Sequence, residues 1–192
     1  MKSGLSSRFD EALAYASRIH SGQIRKGTGT PYIAHVLGVT ALVIEDGGDE
    51  DEAIAALLHD AIEDRGAALR DEIRTLFGER VLAIVDGCTD SDTFPKPPWK
   101  QRKDRYLASL GVASPEVLRI SAADKLHNVR SLLFAYRQRG EALWYLFNGQ
   151  KEGTLWYYNE VSTILKARSN SRLTEELRLA VADMNELVRQ NG

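Results

Sequence analysis

Leu57-Leu58-His59-Asp60-Ala61-Ile62-Glu63-Asp64 sets four ionisable side chains at the end of an apolar run. The residues before it, Ala53 to Leu58, include no polar side chain and favour helix, so the segment reads as a helix buried nearly all round. In a continuous helix His59 and Glu63, and likewise Asp60 and Asp64, stand four apart and share a face. Three carboxylates and an imidazole then crowd about one turn, at ~1.5 Å rise per residue. Unpaired charges are costly to bury and like charges this close repel, so a cation is the simplest partner. The stretch predicts a metal site at the end of a core helix.

Working outward, the neighbouring segments also read as helices. Asp49 with Glu52 three residues on forms a capping box that starts the central helix. Upstream, Phe9, Leu13, Ala16 and Ile19 recur at helical spacing behind a Ser6 or Ser7 cap, and Gly22 closes that helix. Gln23 to Thr30 is a loop with two glycines and the adjacent cations Arg25 and Lys26. Thr30-Pro31 reads as an N-cap followed by proline at the first helical position, opening a helix to about Asp46 that Gly47-Gly48 end. Downstream, helices are expected over about 69–77 and 79–88, and a loop with three prolines over 89–98. A cationic helix with Lys100, Arg102, Lys103 and Arg105 follows. Ser114-Pro115 starts a long helix to about Tyr136, and two more span roughly 153–168 and 173–190. No alternating strand, internal repeat or low-complexity tract is found. The fold class is all-α, a single-domain helical bundle over residues 1–192.

At 192 residues and net charge −2 the chain has a core-sized length and no basic excess, so neither nucleic acid nor an anionic membrane is an expected partner. No apolar stretch approaches the ~20 residues that span a bilayer. One cysteine, Cys88, excludes an internal disulfide and reads as a core filler in a reducing compartment. With no signal-type segment in residues 1–8, the expected location is cytoplasmic. Oligomeric state is left open, with homo-oligomerisation among the options.

The chain has four histidines. His20 and His127 fit an ordinary hydrogen-bonded structural role. His59 is distinguished by Asp60 beside it, and His35 by its place one turn into the helix after the cationic loop. Asp124, in Ala122-Ala123-Asp124-Lys125-Leu126-His127-Asn128, marks a second place where an apolar helix meets polar residues abruptly. His35, His59, Asp60 and Asp124 supply two imidazoles and two carboxylates, a mixed set that suits Mn²⁺, Fe²⁺ or Zn²⁺ better than Ca²⁺.

A histidine, then His-Asp, then a distant aspartate resembles the HD superfamily of metal-dependent phosphohydrolases, and more closely the hydrolase domain of the RelA/SpoT family and its free-standing small alarmone hydrolases. The resemblance rests on Gln23-Ile24-Arg25-Lys26 running on to Thr30-Pro31-Tyr32-Ile33-Ala34-His35, on His59-Asp60-Ala61-Ile62-Glu63-Asp64, and on Ala123-Asp124-Lys125-Leu126-His127-Asn128. It covers about residues 5–170. It implies an HD fold, one Mn²⁺ held by His35, His59, Asp60 and Asp124, and catalytic acids at Glu63 and Asp64 serving the attacking water. The implied reaction is removal of the 3′-pyrophosphate of guanosine tetraphosphate or pentaphosphate, giving GDP or GTP.

For this guanine nucleotide the resemblance places Arg25 and Lys26 at nucleotide-contacting positions, and Asn128 within reach of the ribose. Lys96 and Lys100, with Arg102 and Lys103, are candidates to draw in pyrophosphate, and Lys151 and Tyr158 are held as further contacts. Val36 stands where many relatives have proline, and Arg65-Gly66 where threonine is common. A synthetase domain does not fit in 192 residues, which implies a stand-alone hydrolase. Two alternatives stand beside this one: an HD phosphohydrolase acting on another phosphorylated nucleotide, such as a nucleoside monophosphate or NADPH, and a catalytically silent HD domain that senses nucleotide.

Overall fold

The computed structural model describes residues 4–191. In chain order the helices are α1 (Ser7–Ile19), α2 (Ile33–Glu45), α3 (Glu50–Leu58), α4 (Ala61–Arg65), α5 (Leu69–Phe77), α6 (Glu79–Cys88), α7 (Trp99–Leu110) and α8 (Pro115–Arg139), then a 3₁₀ helix (Gly140–Leu146), α9 (Gln150–Arg168) and α10 (Arg172–Asn191). Among the described residues the fold is all-α, with a lone antiparallel bridge between Ile24 and Pro31.

The apolar run lies at the centre. Ala53 through Leu58 are fully buried, and α3 packs on α1, α2, α6 and α8. Burial on all sides explains why the run has no polar face. The entry to α3 is held by the expected capping box: Asp49 accepts from the Glu52 amide at 3.1 Å, and Glu52 accepts from the Asp49 amide at 2.8 Å. Arg119 of α8 reaches both Asp46 and Glu52, tying the α2–α3 turn to the long helix. Ser6 caps α1, and Ser114 caps α8 ahead of Pro115, as their sequences predict. α8 contributes Ile120, Ala122, Ala123, Leu126 and Val129 to the core and packs on α9 and α10. No helix among the described residues is long and apolar enough to cross a membrane.

The structure corrects several expectations. The central run is not one helix: α3 ends at Leu58 and α4 begins at Ala61. The reason is local. Nδ1 of His59 lies 2.8 Å from the Ala56 carbonyl, the acceptor that the Asp60 amide would use in a continuing helix. Thr30-Pro31 does not start α2, because the Arg25 amide donates to the Thr30 carbonyl at 2.9 Å and the Tyr32 amide to Gln23. That pairing folds the cationic loop into a closed hairpin, and the helix begins two residues later. The 3₁₀ helix was not anticipated, and α9 begins at Gln150, earlier than about residue 153.

Candidate metal centre and adjoining cavity

Three helices deliver the proposed ligands to one point. His35 comes from α2, His59 and Asp60 from the break after α3, and Asp124 from the middle of α8. His35, His59 and Asp124 are all buried, and each offers a ligand atom within 4.8 Å of the others. Nε2 of His35 is 3.2 Å from Oδ1 of Asp124 and 3.7 Å from Oδ2 of Asp60. Nε2 of His59 is 3.1 Å from Asp60 Oδ2 and 3.9 Å from Asp124 Oδ1. Both imidazoles therefore aim Nε2 at the same two carboxylates.

Every ligand is held from behind. His59 Nδ1 faces the Ala56 carbonyl, and His35 Nδ1 lies 2.9 Å from Nδ1 of His127. Tyr32 donates to Asp60, and Lys125 donates to Asp124 Oδ2. Asn128 donates to Asp124 Oδ1 at 2.5 Å. Outer partners of this kind orient metal ligands and select the ring tautomer. With Nδ1 of His59 committed to a carbonyl, Nε2 is the atom turned inward; it is buried and has no hydrogen-bond partner. A divalent cation fits there: two imidazole nitrogens and two carboxylates converge, and the buried Nε2 of His59 lacks any other mate.

The electrostatics agree. Burial opposes charge on His59, yet Asp60 and Asp124 raise its pKa to about 9. Burial would raise the Asp124 carboxyl, but Lys125 and the two imidazoles hold it well below the ordinary range. His35 is lowered, chiefly by burial, and His127 falls to about 4 through burial, His35 and Arg25. The ring behind His35 is thus neutral at pH 7. Proton and cation compete for the same field.

Glu63 and Asp64 are adjacent but face different spaces. Glu63 lines a cavity of about 250 Å³ and accepts from Lys96 at 2.9 Å. Asp64 accepts from Gln23 at 2.7 Å and lines a separate pocket of about 270 Å³ with Ser21, Gly22 and Arg65. Burial first, then the charge of Asp60, raises the pKa of both carboxyls. Raised carboxyl pKa values beside a cluster of charges suit proton transfer near neutral pH.

The 250 Å³ cavity is also lined by Lys26, Arg102, Lys103, Lys125, Asn128 and Tyr158. Arg25, Lys26, Asn128 and Tyr158 further border a smaller adjoining pocket of about 70 Å³ with Phe147 and Thr154. Arg25 donates to Asn128 at 2.6 Å, so the cationic loop touches the residue that holds Asp124. Cations crowd a polar, solvent-open space, which suits an anionic ligand. Lys100 and Lys151 line neither cavity; Lys100 pairs with Asp104 and lies over Trp156, and Lys151 pairs with Glu141. Sequence reading passed over Gln23, Tyr32, Lys125 and His127 as site residues. For Lys125 and His127 the signal was their place beside Asp124, and for Gln23 and Tyr32 their place within the loop-to-His35 motif.

Comparison with known proteins agrees with this geometry. The HD domain family profile matches residues 12–153. The human guanosine-3′,5′-bis(diphosphate) 3′-pyrophosphohydrolase MESH1 is 39% identical over 125 residues, 64% of this chain and 68% of that protein. A GTP pyrophosphokinase of Streptomyces coelicolor is 38% identical over 135 residues, 70% of this chain but only 16% of that much longer protein. The solved structure of a metazoan ortholog of SpoT, described as hydrolysing ppGpp, superposes with a TM-score of 0.79 at 27% identity, covering 95% of this chain and 98% of its own. The convergence of His35, His59 and Asp124, the family profile and these relatives lead to one conclusion: the chain belongs to the HD domain family.

Proposed function

We propose that the chain is a Mn²⁺-dependent phosphohydrolase that removes the 3′-pyrophosphate of guanosine tetraphosphate or pentaphosphate, giving GDP or GTP and pyrophosphate. The observation that carries this reading is that the cluster of His35, His59 and Asp124, with Asp60 beside it, adjoins through Lys125 and Asn128 a cation-lined cavity that Glu63 also lines. Relatives that bear the name of this activity support it.

His35, His59, Asp60 and Asp124 would hold the ion. Bound there, a divalent ion supplies a lowered pKa for water and polarisation of a phosphoryl oxygen. The chain's own groups do the rest. Glu63 takes up the proton that water releases as it attacks phosphorus, and its raised pKa leaves it basic enough to do so. Asp64, held by Gln23 toward the neighbouring pocket, would have to turn to the cavity side to orient that water or protonate the departing oxygen. Lys26, Arg102, Lys103 and Lys125 meet the phosphate charge, while Arg25 and Asn128 engage the nucleoside side. Burial and Lys125 lower the Lys103 pKa despite Asp90, so an incoming phosphate gains a poorly hydrated cation.

The test is product analysis across a nucleotide panel that includes guanosine tetraphosphate, nucleoside monophosphates and NADPH, with and without Mn²⁺. Pyrophosphate and GDP, released only with the metal, are expected. Orthophosphate from another nucleotide would shift the substrate assignment, and activity that survives chelation would overturn the reading. Tight binding of the tetraphosphate without turnover would indicate a sensor.

A further inference from the structure

We propose that His127 is the positioning residue for His35, and that Gly38 is glycine in order to admit the His127 ring. The proposal rests on the metal reading above and assigns roles to two residues outside the ligand set.

His35 Nε2 is aimed at Asp124 and Asp60. To donate its lone pair there, the ring must carry its proton on Nδ1. The only side-chain atom hydrogen-bonded to that Nδ1 among the described residues is Nδ1 of His127, at 2.9 Å. His127 therefore accepts, which leaves its own proton on Nε2. The two rings lie 4.8 Å apart between centroids and are inclined by 56°, which fixes the plane of His35 as well as its tautomer. His59 gets the same service from a backbone carbonyl; His35, early in α2, gets it from a side chain of α8.

The ring reaches this position only because α2 has a gap in its surface. Gly38 lies three residues after His35, inside a regular helix, and its backbone is not in the left-handed region that favours glycine. Glycine at an interior helical position is unfavourable relative to alanine. Its explanation is steric: a Cβ there would stand 2.4 Å from both Cδ2 and Nε2 of His127. That is far inside van der Waals contact, so alanine must push the imidazole away from His35.

Calorimetric titration of the metal-free protein with Mn²⁺, alongside the thermal midpoint of each apo variant, tests this. H127L should weaken Mn²⁺ binding by about 10–100-fold, the usual cost of losing an outer partner of a ligand. H127N, whose Oδ1 stands where Nδ1 stood, should restore most of the affinity, while H127Q, with its acceptor displaced, should not. G38A should reproduce the H127L loss, and G38A/H127L should bind no more weakly than H127L alone, since one contact is removed in both. Unchanged affinity in H127L and G38A, or losses that add in the double variant, would overturn the proposal while wild-type binding leaves the metal reading intact. A wild-type protein that takes up no Mn²⁺ overturns both. If H127L fails to fold, equal affinities for H127N and H127Q overturn the proposal, and a gap between them supports it.

Discussion

Nζ of Lys96 lies 2.9 Å from Oε1 of Glu63, joining the proline-rich loop before α7 to the short helix α4. Burial and the charges of Asp60 and Asp90 push the Glu63 carboxyl up, against Lys96 and Lys103. A base must be ionised, so activity falls as pH drops through that raised pKa. K96M removes a lowering influence, and the acidic limb of kcat/KM should move to higher pH. A limb that stays in place would dissociate Lys96 from the state of Glu63.

E63Q should cut kcat by about 10²–10⁴-fold, the usual worth of a general base. The sign of the stability change is separate. A carboxyl whose folded pKa exceeds its unfolded value binds its proton more tightly when folded, so its ionisation works against folding as pH rises through that window. At pH 7 E63Q should therefore melt no lower than wild type. A strongly lowered melting temperature would mean that the Lys96 ion pair outweighs the burial cost.

Asn128 bridges the cationic loop and α8, accepting from Arg25 at 2.6 Å and donating to Asp124 at 2.5 Å. N128A leaves both partners short. It should weaken Mn²⁺ binding by about 10–100-fold as an outer-partner loss, and raise KM as well. Titration with Mn²⁺ and steady-state kinetics separate the two effects; a change in KM alone would remove Asn128 from the support of Asp124.

Asp90 is nearly enclosed and accepts from Arg102 at 2.5 Å and Lys103 at 2.6 Å. D90A strands two largely buried cations, and breaking a buried pair in this way costs about 3–5 kcal/mol. Urea unfolding of D90A against wild type measures it. A loss below ~1 kcal/mol would show that solvent reaches these cations freely.

Leu57 is fully buried in α3, two residues before His59. L57A should destabilise the fold by about 2–5 kcal/mol, the range for large-to-small core changes. Because His59 and Asp60 follow directly on α3, Mn²⁺ affinity should fall with it; unfolding with and without Mn²⁺ reads both.

Much of this arrangement was legible before any coordinates. Ser6, Asp49 with Glu52, and Ser114-Pro115 mark helix starts through bonds made within a few residues, and those starts are where the structure has them. Of the residues that gather at the centre, His59, Asp60 and Asp124 stood out because charge there interrupts an apolar helical pattern, and His35 because it lies one turn into the helix that follows the cationic loop. The interruption at His59-Asp60 was harder to read. It turns on the His59 ring taking the Ala56 carbonyl, a choice made in competition with the ordinary helical bond. Thr30-Pro31 misled for a related reason: a cap-like pair was drawn instead into the hairpin that Arg25 and Gln23 close.

Local chemistry in the sequence, apolar periodicity and capping residues, determined that this chain forms helices and that acids and imidazoles interrupt their apolar runs. Tertiary structure alone decided which of them face each other. Lys100 and Lys103 are three apart on one helix, yet Lys103 lines the cavity and Lys100 pairs outward with Asp104, because the packing of α7 on α9 sets the rotation of the helix. His127 lies 92 residues from His35 in sequence and 2.9 Å from it in space. That contact exists because α2 and α8 close on each other at Gly38, where a missing side chain leaves room for a ring.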